Sequence, residues 1–280
     1  MKQLFDIVSH KCSREVTETY STSFSLATRM LGPSIRQDIH NIYGFVRFAD
    51  EIVDSFHDYD KQSLFNRFEC ELNQSLKERI SLNPILNSFQ NTVYKYNIDR
   101  ALIQTFMDSM RQDLTKSVYI SVEEFNKYIY GSADVVGLMC LQVFVKGDAE
   151  KYATLKEAAM NLGSAFQKVN FLRDIKDDEE ILSRTYFPNI DLNTLDENSK
   201  QQIIVEIEEN FKMAFEGIVN LPHDARLGVF VAYKYYRRLL KKLQKTPASE
   251  IKNSRIRVPN IEKLGLLTGS YLKYQLNLVK

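Results

Sequence analysis

Residues Gly163 to Pro188 read GSAFQKVNFLRDIKDDEEILSRTYFP, and the spacing predicts a long helix with one polar stripe. Gln167, Asn170, Asp174 and Asp178 step by three, four and four residues, which keeps them on a single helical face. Beside them runs an apolar stripe of Phe166, Val169, Phe171, Leu172 and Ile175. Two carboxylates one turn apart cannot both be buried as anions without a counter-charge. A divalent cation supplies that charge, and carboxylate and amide oxygens suit a hard ion such as Mg²⁺. A solvated acidic helix end is the competing reading, because Asp177, Glu179 and Glu180 continue the acidity.

A second stripe upstream shifts the balance. Tyr43, Arg47, Asp50 and Asp54 again step by four, three and four within a helix expected over residues 34–57. Asp50 and Asp54 repeat the spacing of Asp174 and Asp178, and each pair has an arginine nearby, Arg47 and Arg173. One such pair alone would read as an intrahelical ion pair worth a few tenths of a kcal/mol. Two of them, with arginines whose planar forks fit phosphate oxygens, point to paired metal–diphosphate sites.

The 280 residues are 44% hydrophobic and 26% charged, ample for a sizeable core. Few glycines and prolines and no linker-like stretch predict a single domain over 1–280. The net charge of +1 gives no general attraction to nucleic acid. Cys12, Cys70 and Cys140 are scattered, which fits a reducing compartment and neither a disulfide framework nor a zinc site. No apolar run reaches membrane-spanning length, and the first residues lack the pattern of a signal peptide.

Almost every segment has helical period, so the chain is expected to be all-α. Ser21 and Ser23 lie in a hydroxyl-rich break before Phe24 that reads either as a helix cap or as donors for phosphate. Gly131 and Gly137 interrupt the helical pattern of 121–146 at about 1 kcal/mol each. Tight helix packing and a kinked wall for an apolar chain both account for them. Asp134, between these glycines, needs a partner. Residues 233–245 are basic and amphipathic, a solvated face or a membrane-surface contact.

These residues carry a family likeness. The chain resembles the squalene/phytoene synthases, head-to-head prenyl transferases of the all-α isoprenoid synthase fold. The likeness runs through Gly163-x-Ala165-x-Gln167-x-x-Asn170-x-x-Arg173-Asp174-x-x-x-Asp178, then Arg184-x-Tyr186-x-Pro188, and through Tyr43-x-x-x-Arg47-x-x-Asp50-Glu51-x-x-Asp54 and Ser21-x-Ser23-Phe24. It departs at Tyr20, where many members have histidine or phenylalanine, and at Asp134, where a small residue is usual. The resemblance implies a helical bundle around a central apolar cavity. It implies metal ligands at Asp50, Asp54, Asn170, Asp174 and Asp178. Substrate contacts are expected from Ser21, Ser23, Phe24, Arg47, Gln167, Asn170, Arg184 and Tyr186, and catalytic roles for Tyr43, Arg47, Tyr130, Arg173 and Tyr235. Core duty is the alternative for each aromatic residue, and Tyr128 competes with Tyr130.

The expected reaction joins two geranylgeranyl diphosphates through a cyclopropyl diphosphate to phytoene, with Mg²⁺ (or Mn²⁺) and no NADPH. A farnesyl diphosphate-using enzyme giving presqualene diphosphate, squalene or dehydrosqualene is the alternative. Thr28, small and one turn after Phe24, favours the longer chain. A non-catalytic adaptor is a third reading, and retention of all four aspartates opposes it. The protein is expected in the cytoplasm as a monomer or weak homodimer, with peripheral contact at the inner membrane surface.

Overall fold

Capping residues divide the chain into helices. In the computed structural model Ser21, Asp60, Asn83, Asp99, Ser121 and Asp196 each accept a backbone N–H with the side chain at a helix start. Pro33 and Pro84 occupy first-turn positions, where no N–H is needed. Arg79 and Asn97 end their helices in the left-handed conformation. The structure describes residues 1–116, 118–119, 121–180, 187, 195–251, 255–276 and 278, without the side chains of 176–180.

The helices are α1 (Lys2–Tyr20), α2 (Thr22–Arg29), α3 (Pro33–Asp54), α4 (Lys61–Glu78), α5 (Pro84–Tyr96), α6 (Arg100–Gln112), α7 (Val122–Ile129), α8 (Val135–Phe144), α9 (Ala149–Glu180), α10 (Glu197–Ile218), α11 (His223–Lys245), the short α12 (Ala248–Ile251) and α13 (Asn260–Gln275). No β-strand occurs among the described residues, so the all-α expectation holds. The helix predicted from the quoted stretch starts earlier, at Ala149, and α9 is 32 residues long. At 1.5 Å per residue it runs about 48 Å.

The core forms around α3 and α9. Phe45 on α3 lies 4.0 Å from Phe89 and 5.5 Å from Phe106, ring centre to ring centre. Ala165, Val169, Leu172 and Ile175 of α9 are buried. The seam between α1, α3 and α5 is built differently. α1 turns Ser9, Ser13 and Thr17 inward and leaves Leu4, Ile7 and Val8 exposed. Ser13 meets Ser88 at 2.5 Å, Asn41 donates to Thr92 at 3.0 Å, and Thr92 donates to Asp38 at 3.0 Å. Every one of these groups is buried, and the hydrogen bonds offset their desolvation.

Between α7 and α8 the chain forms a π-helical turn over Tyr130–Asp134. Here the glycines of the sequence find their reason. A Cβ on Gly137 would sit 3.0 Å from the Ala159 carbonyl oxygen, and one on Gly163 would sit 2.9 Å from that of Ala133. The widened turn thus lies directly on the backbone of α9, as such turns often do near functional sites. Tight packing and a kinked wall are both realised, since Ser132, Ala133, Val136 and Gly137 also face a cavity.

Candidate active site

An apolar cavity of about 310 Å³ lies between α2, α3, the π-helical turn, α8, α9, α10 and α11. Small residues open it: Ala27, Thr28, Ala133, Ala158, Ala159 and Gly217. Leu31, Phe144, Leu155 and Leu221 also line it. Along α9 the lining runs from Leu155 to Gln167, about 18 Å of helix at 1.5 Å per residue. Thr28 donates its hydroxyl to the Phe24 carbonyl at 2.8 Å, so its polar group is turned away from the cavity's needs.

Both acidic motifs continue from the same end of this cavity. On α3 the lining includes Ile39, Ile42, Tyr43 and Val46; Arg47, Asp50 and Asp54 follow. On α9 it reaches Phe166 and Gln167; Asn170 and Asp174 follow. Two tyrosines stand between them. Tyr43 stacks on Phe24 at 4.8 Å, and burial pushes its hydroxyl up to about 12, with Asp50 and Tyr236 adding to the shift. Tyr236 stacks on Phe166 at 3.9 Å and donates to Asn170 Oδ1 at 3.3 Å.

The charges at the mouth are paired, but unevenly. Arg47 donates to Asp50 at 2.7 Å, binds Glu51 as well, and lies 4.5 Å from the Tyr20 ring centre. Its buried Nε has no hydrogen-bond partner among the described residues. Although 35% of the Asp50 side chain meets solvent, burial of its carboxylate, then Asp54, push its pKa up to about 7 against the pull of Arg47. Asp113, itself buried and bonded by Tyr128 at 2.9 Å, pushes in the same direction. A turn with that surplus of negative charge, and with oxygen donors only, suits a hard divalent cation. On α9, Arg173 donates to Asp174 at 2.8 Å, and Arg255 reaches the same carboxylate at 2.8 Å. Burial opposes the charge on Arg173, and Asp174 outweighs it, holding the guanidinium above its usual range. Among the described residues no three His, Cys, Asp or Glu side chains converge as a ready-made metal cage.

The sequence profile of squalene/phytoene synthases matches residues 17–262. The chain belongs to the squalene/phytoene synthase family. It is 30% identical over 284 residues to phytoene synthase 3, chloroplastic, of Zea mays, covering 94% of this chain and 65% of that protein. It is 28% identical over 292 residues to the phytoene synthase of Arthrospira platensis, covering 95% and 93%. The chain therefore spans just under two thirds of the maize relative and nearly all of the bacterial one. A dehydrosqualene synthase crystal structure superposes with a TM-score of 0.81 at 21% identity, covering 96% of this chain and 98% of that one. A squalene synthase from Alicyclobacillus acidocaldarius gives 0.73 at 20%, covering 85% and 93%. The fold is the all-α isoprenoid synthase fold that the motifs implied.

Within this family frame the expected residues divide. Phe24, Tyr43 and Gln167 line the cavity; Arg47, Asp50, Asn170, Arg173 and Asp174 follow at its acidic end. Ser21 caps α2, accepting from Phe24 N at 3.2 Å, and also bonds Tyr43; Ser23 is half-buried in the next turn. Tyr130 packs half-buried against the core and is not among the cavity-lining residues. Tyr235 lies edge-on to Tyr236, with Lys263 Nζ 5.7 Å from its ring centre. Arg184, Tyr186 and the side chain of Asp178 lie outside the described residues. Sequence reasoning passed over Tyr236, Asp113 and Arg255. Tyr236 was one position from the residue chosen, and one position turns a helix by about 100°.

Asp134 has its partner. It is buried in the π-helical turn and accepts from Ser164 Oγ at 2.8 Å. Burial pushes its pKa from 3.8 up to about 6, while Ser164 and Lys168 pull against the shift. The folded state thus holds the proton more tightly than the unfolded chain. This residue's contribution to stability is full below about pH 4 and declines as pH rises through about 6. Asp134→Asn removes the charge and keeps an acceptor for Ser164. It is expected to be more stable than the parent at pH 7.5, by at most about 3 kcal/mol for a shift of roughly two units. Urea unfolding at pH 7.5 and pH 4 checks this, and an equal gain at both pH values would contradict the cause.

Proposed function

We propose that this protein condenses two geranylgeranyl diphosphates head to head into phytoene, with residues 1–280 acting as one catalytic domain. The observation that carries the reading is the apolar cavity with an acidic, arginine-flanked motif on each of two helices at one end. Likeness to phytoene synthases over more than nine tenths of the chain supports the choice within the family. Asp50, Asp54, Asn170, Asp174 and Asp178 are the residues that would hold Mg²⁺, or Mn²⁺ in its place. When bound, the metal supplies the positive charge that lets diphosphate leave.

The chain's own residues do the rest. Arg47, Arg173, Arg184 and Tyr186 bind phosphate oxygens, and Arg255 joins them from the segment before α13. Phe24 and Tyr43, with Phe166 and Tyr236 beside them, present ring faces to the allylic cation. The apolar walls exclude the water that would quench it. The double bond of the second substrate attacks the cation, and loss of a proton closes the cyclopropyl intermediate. A second ionisation, rearrangement and proton loss give phytoene. Two diphosphates and two protons leave and no hydride enters, so the reaction requires no NADPH. The small Thr28 leaves room for the longer chain.

Product analysis tests the reading. Purified protein is incubated with Mg²⁺ and either farnesyl or geranylgeranyl diphosphate, with and without NADPH, and the hydrocarbon is identified by mass spectrometry. Phytoene from geranylgeranyl diphosphate alone is expected. A product from farnesyl diphosphate only, or none from either, would overturn it. The reading further places the protein in the cytoplasm, as a monomer or weak homodimer. It includes peripheral membrane contact, because substrate and product are lipids and no described helix is long and apolar enough to cross a bilayer.

A further inference from the structure

The basic stretch of α11 is not one uniform surface. Arg238 and Lys242 are both tied to Glu262 of α13. They hold the last helix to the body and are committed to that contact. Arg238 also lines the groove that the remaining cations face, with its charge already met by Glu262. Lys234, Arg237 and Lys241 of α11, joined by Lys273 of α13, line this groove of about 670 Å³ between α10, α11 and α13. Its floor is apolar and aromatic, with Phe215, Phe230, Tyr233, Leu240 and Leu266. Glu208 is the only carboxylate lining it and makes no ion pair with these cations among the described residues. Arg237 instead shares Tyr233, at 3.4 Å from its hydroxyl. Burial, then Lys273 and Arg237, hold Lys234 below the ordinary lysine range, as crowding of like charges requires.

The helix beside the groove has an apolar outer face. Ile261, Leu264, Leu272 and Leu276 of the α13 region are exposed, Ile261 by 89%. They fall within one sector of about 120°, next to the edge that carries Leu266 and Lys273. Gly265 and Gly269, on the same side, have no atom near a would-be Cβ. An apolar helical face flanked by cations with no ion pair among the described residues, over an aromatic floor, is the pattern of a segment lying in a membrane interface. The charge excludes a neutral surface as the best fit, and the apolar face excludes a simple soluble anion.

We propose that the groove between α10, α11 and α13 binds the phosphate headgroup of an anionic phospholipid, with the outer face of α13 seated in the membrane interface. This deepens the membrane contact proposed above by naming its site and its lipid, and it rests on that contact. The two faces of α11 would then serve different ends, since Val229 and Ala232 line the apolar cavity while Phe230 and Tyr233 floor the groove.

The test is co-sedimentation of the full chain with vesicles of phosphatidylcholine alone or with about 30% phosphatidylglycerol. Binding is expected to the anionic vesicles and at least about tenfold weaker to the neutral ones. The triple variant Arg237→Glu/Lys241→Glu/Lys273→Glu should lose that preference, and Leu272→Glu should weaken binding with the groove intact. Circular dichroism confirms that both variants are folded. Diphosphate release measured in detergent without vesicles should be unchanged in them, and a parent protein inactive there would fail the catalytic reading while leaving the vesicle result to stand. Equal binding to both vesicle types, or anionic binding retained by the triple variant, would overturn the proposal. So would a concentration-dependent dimer that Leu272→Glu abolishes with vesicle binding unaffected, because a second copy would then cover the face.

Discussion

Asp174→Asn is expected to lower turnover about a thousandfold at saturating Mg²⁺ while the helical circular dichroism spectrum is retained. A thousandfold corresponds to about 4 kcal/mol at 1.36 kcal/mol per decade, in the range of several kcal/mol that metal charge stabilisation supplies. The substitution keeps shape and an acceptor for Arg173 and Arg255, which both contact this carboxylate. It removes the negative charge that would draw a metal to α9. The folded state should survive because Arg173 remains partly exposed and its donors can still meet an amide oxygen. Turnover near that of the parent would remove Asp174 from the metal set. An unfolded protein would be diagnosed by its spectrum, and Asp174→Glu, which restores the charge one methylene further out, should then recover the fold with little activity.

Gly163→Val should lower stability by about 3 kcal/mol, the upper part of the usual range for overpacking. A Cβ at 163 would lie 2.9 Å from the Ala133 oxygen and 3.1 Å from both Ala133 C and Asp134 Cα. These are backbone atoms of the π-helical turn, so no rotamer change can make room. Relief requires the turn to lift off α9, which also shifts a wall of the cavity. Gly131→Ala is the informative contrast. Its closest approach, 1.9 Å, is to the Ser109 hydroxyl, which can rotate away. It should cost less despite the shorter distance. Urea midpoints at constant m-value report both. Equal stability of Gly163→Val and the parent would mean that the turn and α9 are not held together as described.

Much of this was readable in the chain because the relevant signals are local. The two DxxxD stripes are periodic, so their faces follow from helix geometry, and α3 and α9 carry them as expected. Gly131 and Gly137 marked the break in 121–146, though the widened turn that resolves it depends on backbone contacts with α9. The misses are of another kind. That Tyr236 stacks on Phe166 with Tyr235 edge-on beside it depends on the rotation of α11, set by which neighbours pack on it. Arg255 reaches Asp174 across 81 positions of sequence, and no spacing rule links them. Reading 233–245 as one basic face failed to show that Glu262 binds Arg238 and Lys242, while Lys234, Arg237 and Lys241 join Lys273 in the groove that Arg238 also lines.

The hydroxyl seam under α1 has a further consequence. Most helices here are held by hydrocarbon, whose exposure on unfolding is what denaturants reward. α1 is held through Ser9, Ser13 and Thr17, with Leu4, Ile7 and Val8 exposed and Phe5, Cys12 and Val16 half-buried. Peeling it away would therefore expose less apolar area of its own than a helix held by leucines would. Such an opening is a local event, limited in part by a few buried hydrogen bonds and weakly promoted by urea. Its last residue, Tyr20, packs against Arg47, so the helix with this hydroxyl seam ends against one of the arginines at the mouth of the cavity.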